Sequence, residues 1–114
     1  MADIKARIAK RVAKEMHNGD VVNLGIGLPT MVPQFIPEDI VVTLHSENGF
    51  AGLAGPVTEE AEVDTDVIDS GGTYVKTVDR VKYFDASDSF GIIRGGHVDA
   101  TVLGAMQVAP NGDL

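Results

Sequence analysis

The chain has 114 residues, 44% of them hydrophobic, with 13 glycines, no cysteine and a net charge of −8. This is the make-up of an ordinary globular protein, and it excludes a disulfide framework, a thiolate metal site and a cysteine nucleophile. Five Lys or Arg fall within residues 3–17, while residues 18–114 are strongly acidic; that balance disfavours broad binding to a nucleic-acid backbone but not one phosphorylated ligand held by main-chain amides. No signal-peptide pattern opens the chain, and no stretch approaches the ~20 apolar residues of a membrane helix. A cytoplasmic protein without membrane or nucleic-acid partners is expected.

Asp3 is a predicted N-cap, after which Ile4, Ile8, Ala9, Val12, Ala13 and Met16 recur at helical spacing. Asn18-Gly19 ends this amphipathic helix, whose basic outer face is expected to be solvated. Val21-Val22-Asn23-Leu24 follows as a short buried strand closed by Gly25-Ile26-Gly27. Pro29 fits the first turn of a short helix to about Phe35, with Pro33 awkward inside it. Ile40 to His45, rich in β-branched residues, is the clearest strand. It runs directly into Ser46-Glu47-Asn48-Gly49, where Asn-Gly signals a turn.

Residues 52–69 are predicted to be an acidic loop carrying Glu59, Glu60, Glu62, Asp64 and Asp66, with at most a very short strand at Val67-Ile68. Gly71-Gly72 turns into a strand over Thr73 to Val78, and Tyr83-Phe84-Asp85 is a further short one. Ser87 to Arg94 is predicted helical and ended by Gly95-Gly96, before a strand from Val98 to Leu103. Pro110-Asn111-Gly112-Asp113 is a hairpin signal, so the chain is expected to be part of a longer domain. The element order implies an α/β fold: an open, largely parallel sheet with flanking helices, incomplete at the C-terminus. Ligands in such sheets gather at the carboxyl ends of strands, and both Gly25-Ile26-Gly27 and Ser46-Glu47-Asn48-Gly49 lie there.

Gly25-Ile26-Gly27 alone is a weak signal. Thr30 stands where a dinucleotide fingerprint needs its third glycine, although close backbone approach to some ligand remains sensible. Glu47 ends a hydrophobic strand before a glycine turn, a position suited to nucleophilic or acid–base work. Most turn glutamates are simply solvated, and spacing does not choose between these readings. His17, His45 and His97 have no metal-ligand spacing, so structural or hydrogen-bonding roles are expected. The acidic loop lacks the pattern of a calcium loop, and no serine lies in a nucleophile elbow.

Taken together, four ordered segments resemble the beta subunits of class I coenzyme A transferases, the succinyl-CoA:3-oxoacid, acetate/acetoacetate and butyrate/acetoacetate group. They are Val22-Asn23-Leu24-Gly25-Ile26-Gly27-Leu28-Pro29, Ser46-Glu47-Asn48-Gly49, Ile93-Arg94-Gly95-Gly96-His97-Val98-Asp99 and Leu103-Gly104-Ala105-Met106-Gln107-Val108. The resemblance covers nearly the whole chain. It implies a fold also akin to ribose-phosphate isomerases, with residues 1–114 as the N-terminal part of one beta-subunit domain.

It also implies that Glu47 is the catalytic glutamate, forming a glutamyl-CoA thioester in ping-pong transfer of CoA between short-chain acids, as in ketone-body and fatty-acid metabolism. Asn23, Gly25, Gly27, Asn48 and Gly49 are the implied CoA- or substrate-binding residues, and His97 and Asp99 are expected to be architectural. CoA is a substrate, and neither metal nor other cofactor is expected. Gly72 stands where some relatives carry a CoA-contacting lysine, which puts that contact in doubt. An alpha subunit and a glycine-rich segment beyond residue 114 complete the site in the family, so these residues alone are expected to be inactive. The rivals are a non-catalytic ligand-binding or sugar-phosphate-sensing module of the same fold, and a purely structural subunit.

Overall fold

The computed structural model describes residues 2–60, 63–70 and 72–114; the expectations for Glu62 and Gly71 lie outside them. Helix α1 covers Ala2–Ala13. It begins earlier than the capping signal implies, so Asp3 is inside its first turn, where negative charge complements the exposed amides of a helix start. The predicted apolar stripe divides. Ala9, Ala13 and the following Met16 are buried, whereas Ile4 and Ile8 are 58% and 45% exposed. The alanine edge makes the contact, letting α1 lie close on the 3₁₀ helix Leu28–Phe35. Pro29 sits in the first turn, where no donor is needed, but Pro33 removes one that an α-helix would use, and the segment winds more tightly with Pro33 inside it.

Five strands form one sheet: β1 (Val21–Leu24), β2 (Thr43–Ser46), β3 (Phe50–Pro56), β4 (Val75–Tyr83) and β5 (Ala100–Val102), in the order β4-β3-β2-β1-β5. β1 is parallel to β2 and to β5, which gives the expected α/β core. β3 is antiparallel to both β2 and β4, so the sheet is mixed. β2 starts at Thr43, later than the apolar run suggests. The preceding backbone is engaged by the turn before β1 instead: Val41 N–H donates to the Asn18 side chain, and Gly19 N–H donates to the Val41 carbonyl.

β3 is the main correction, because the predicted loop begins within it. Phe-Ala-Gly-Leu-Ala-Gly-Pro contains no β-branched residue, and Gly52 and Gly55 take positive φ; by propensity it reads as irregular. It is a strand because β4 approaches it closely. A Cβ on Gly52 would meet Val78 Cγ2 at 2.9 Å and Val81 Cα at 3.0 Å. Register shifts between Ala51 and Leu53 and between Leu53 and Gly55 accompany these glycines. Tyr83 therefore belongs to β4 and is not a separate strand, while Ile68 makes one isolated bridge to Tyr74. The remaining acidic segment is exposed at Glu59, Glu60, Asp64 and Asp66.

Helix α2 spans Ala86–Arg94. Asp85 caps it, its carboxylate accepting from Asp88 N–H at 2.7 Å. Alternation along the strands sends successive side chains to opposite faces. Val22, Leu24 and Leu44 join Ala9, Ala13, Met16 and Val32 in the core beneath α1 and the 3₁₀ helix. Asn23 and His45, in register on adjacent strands, point to the other face. Burial predicts a sharp contrast in stability. Val22→Ala, at a residue 0% exposed, should cost about 2 kcal/mol. Val41→Ala, 69% exposed, should cost less than about 0.5 kcal/mol. Urea-unfolding midpoints of the two variants check this.

Candidate active site

β1, β2 and β5 run in one direction, so their carboxyl ends meet at one end of the sheet. Gly25, Gly27 and the turn bearing Glu47 all lie there. Gly25 is buried. Its N–H donates to the Val102 carbonyl at 2.9 Å, and a Cβ would stand 3.1 Å from that oxygen. Its lack of a side chain thus serves the approach of β5. Gly27 is exposed with φ +85°, at the entry to the 3₁₀ helix, and its carbonyl accepts from both the N–H and the hydroxyl of Thr30. Of the two glycines, only Gly27 opens to solvent.

Ser46 pairs with Phe50 across the β2–β3 hairpin, leaving Glu47-Asn48-Gly49 as its loop. Gly49 N–H closes the turn on the Ser46 carbonyl at 3.1 Å. The Ser46 hydroxyl donates to Oδ1 of Asn48, whose Nδ2 donates to the Ile68 carbonyl at 2.7 Å. The Asn48 side chain therefore ties its own turn to the segment at Ile68. Gly49 has φ +141°, and a Cβ there would meet the Phe84 carbonyl oxygen at 2.6 Å. Phe84 N–H in turn donates to the Gly49 carbonyl at 2.9 Å. Only glycine satisfies both the dihedral and the space. Glu47 is half-buried at this braced turn.

The neighbouring polar centre is buried. Asn23 and His45 are 1% and 2% exposed, and Ser89 of α2 is 0%. Nδ2 of Asn23 lies 3.0 Å from Nδ1 of His45, and Nε2 lies 3.0 Å from the Ser89 hydroxyl. With the amide nitrogen donating to Nδ1, the imidazole hydrogen sits on Nε2 and is donated to Ser89. Burial pushes His45 below its ordinary pKa of 6.5, with Glu47 pulling it the other way. The ring also stacks on Phe84, with centroids 5.7 Å apart at 20°. Ser89 and Phe84 carry no motif in the sequence. His45 itself is identifiable only as a strand-end histidine.

His97 and Asp99 stand apart from this centre. The Asp99 carboxylate accepts from Val21 N–H at 2.7 Å, and its own N–H donates to the Val21 carbonyl at 2.8 Å. It ties the entry of β5 to the start of β1. A cavity of about 380 Å³ opens between the 3₁₀ helix and the sheet; Leu24, Gln34, Leu44, Ser46, Leu53 and Val75 are among its walls, and Glu47 is not. The cavity therefore borders the turn without containing its carboxylate.

A model of the coenzyme A transferase family matches residues 5–114. The chain belongs to that family. It is 52% identical over 112 residues to the beta subunit of Escherichia coli acetate CoA-transferase, covering 98% of this chain and 50% of the relative. It is 47% identical over 108 residues to one subunit of the 3-oxoadipate CoA-transferase of Acinetobacter baylyi, with 95% and 49% covered. Human mitochondrial succinyl-CoA:3-ketoacid coenzyme A transferase 2 is 47% identical over 112 residues, 98% of this chain and 22% of the relative. The chain thus spans about half the length of these bacterial relatives and a smaller share of the human protein.

Two outcomes follow from this geometry. Gly49→Ala should lower stability by about 2 kcal/mol or more, since a Cβ meets fixed backbone at a strained dihedral; thermal unfolding measures it. Because the folded pKa of His45 is depressed, the unfolded chain binds more protons once pH falls below about 6.5. Stability from this residue is complete above that value and declines through the folded pKa. The loss in urea midpoint between pH 7.5 and 5.0 should be smaller in His45→Gln than in the wild type.

Proposed function

We propose that this chain supplies the nucleophilic carboxylate of a CoA-transferase, with Glu47 as the group that receives the acyl moiety and then CoA. The observation that carries the reading is the placement of Glu47. It is half-buried at a turn braced at the carboxyl end of β2, in a chain matched to the family over residues 5–114. Exchange occurs between a short-chain acyl-CoA and a carboxylic acid of the acetate, succinate, butyrate or acetoacetate type. The names of the relatives, for acetate, 3-oxoadipate and 3-ketoacid transferases, support this substrate class.

In the first step a Glu47 oxygen attacks the thioester carbonyl. The tetrahedral intermediate expels the CoA thiolate and leaves a mixed anhydride. The thiolate attacks the glutamyl carbonyl, the donor acid departs as its carboxylate, and a glutamyl-CoA thioester remains. The acceptor carboxylate then attacks this thioester, forming a new anhydride and free thiolate. Attack of that thiolate on the acceptor acyl carbon releases the new acyl-CoA and restores Glu47. Charge balances at each step, and CoA serves as substrate without metal, ATP or other cofactor.

A carboxylate is a weak nucleophile, so positioning is the main resource, equivalent to effective molarities of about 10⁵–10⁸ M in well-oriented systems. Near the turn, Gly27 leaves a main-chain opening for CoA. Asn23, Gly25, Asn48 and Gly49 shape the site chiefly from within. An alpha-type subunit is the proposed partner, in line with the naming of the Escherichia coli relative as a beta subunit. We assign the assembly to the cytoplasm. The bacterial relatives carry about as much chain again, and residues 1–114 alone are proposed to lack transfer activity.

The test uses the chain in its complete, partner-bound form. Incubation with acetoacetyl-CoA followed by peptide mass spectrometry should find CoA on Glu47. Glu47→Gln should remove the adduct and lower exchange by about 10³-fold or more. Normal turnover in that variant rejects the mechanism, and saturable CoA binding with no adduct favours a non-catalytic module.

A further inference from the structure

His45 joins three elements that are remote in sequence. Asn23 lies 22 residues before it on β1, and Ser89 lies 44 residues after it on α2. All three side chains are almost fully buried. The same short segment of chain that carries Ser89 also touches the Glu47 turn directly. Phe84 donates its N–H to the Gly49 carbonyl, places its own carbonyl oxygen where a Gly49 Cβ would go, and stacks its ring on His45. Asp85 then starts α2, and its carbonyl accepts from Ser89 N–H at 3.0 Å. Residues 84–89 therefore grip both the end of β2 and the far side of its turn.

A serine–histidine–asparagine line invites a nucleophilic reading, but its polarity is wrong for one. With Nδ1 accepting from Asn23, Nε2 bears the hydrogen and cannot take a proton from Ser89. Ser89 is also 0% exposed, beyond the reach of a substrate.

We propose that His45 is a positioning residue for Glu47, locked between Asn23 and Ser89 so that the carboxylate turn two residues later keeps one orientation. This rests on the transferase reading of Glu47. The physical basis is directional. Each nitrogen of a neutral imidazole has one defined role, donor or acceptor, and a buried polar group left unmatched is costly. The ring consequently has one favoured pose, and β2 carries that pose into the turn. The aromatic stack on Phe84 gives it a second restraint perpendicular to the hydrogen bonds.

The donor and acceptor pattern, more than the charge, is what the line needs. A glutamine offers one acceptor oxygen and one donor nitrogen at the end of its side chain. His45→Gln should therefore preserve the function, whereas His45→Leu, similar in bulk, removes both bonds. Ser89→Ala removes only the outer one and guards against a His45→Leu chain that fails to fold.

Two readouts are measured on the partner-bound protein. The first is hydrogen exchange at the amides of Gly49 and Phe84, which does not depend on any activity. The second is the rate of CoA adduct formation at residue 47 per folded molecule. His45→Leu and Ser89→Ala should speed exchange at both amides by about tenfold or more and slow adduct formation by about 10–100-fold. His45→Gln should stay within about threefold of the wild type in both. Unchanged exchange in the folded variants overturns the proposal, as does faster exchange with an unaltered adduct rate. A wild-type protein that forms no adduct at position 47 sinks the transferase reading instead, and the amide exchange then decides alone whether His45 holds the turn.

Discussion

The buried line of hydrogen bonds from Asn23 through His45 to Ser89 is the constraint on which the arrangement of this site depends. A sheet face packed only with aliphatic side chains tolerates small slides, because apolar contact has little directional preference. A polar line does not. Each member must meet the next at one distance and one orientation, and all three are shut off from water that could substitute. The opposite face of the sheet is built in the other way. There Val22, Leu24 and Leu44 pack with alanines of α1 and Val32 of the 3₁₀ helix. Bulk stability and local orientation are thus assigned to different faces of the same two strands.

Glycines divide their labour comparably. Gly25 and Gly49 make room for backbone, the first for β5 and the second for Phe84. Gly49 also takes a positive φ, whereas Gly27 supplies only an unusual dihedral, at an exposed position with nothing near its missing Cβ. The glycines implied as a CoA-binding set thus also carry different physical tasks within the fold. Asn48 gives a related lesson, since its side chain is bound to Ser46 and to the Ile68 carbonyl and thereby braces the turn.

Much of the fold is legible in the sequence where local chemistry and tertiary outcome agree. The bounds of β1, the turn that carries Glu47 and the helix ending at Arg94 follow from a β-branched run, an Asn-Gly pair and glycine punctuation. Phe50–Pro56 is illegible for a definite reason: alanine and glycine have poor strand propensity, and only the close approach of Val78 and Val81 makes their small size an advantage. Ile4 and Ile8 mislead in the opposite sense, since helical periodicity reports a possible apolar face without saying how far a partner extends. At the site, Glu47 stands out by its place at a strand end. The grouping of Asn23, His45 and Ser89 does not, because it needs the β1–β2 register and a helix from much later in the chain.

The interior position of β1, between β2 and the edge strand β5, has a consequence for biosynthesis. One of its edges is covered early by β2, but the other waits for β5, and the Val21–Asp99 contact that fastens them spans 78 residues. As the polypeptide leaves the ribosome, a row of unpaired main-chain groups beside a buried apolar strand stays uncovered while most of these residues are still being made. Asp99, which caps that junction with both its carboxylate and its amide, is therefore a latch that closes late. Until it closes, that edge of β1 remains open to pairing with the wrong neighbour.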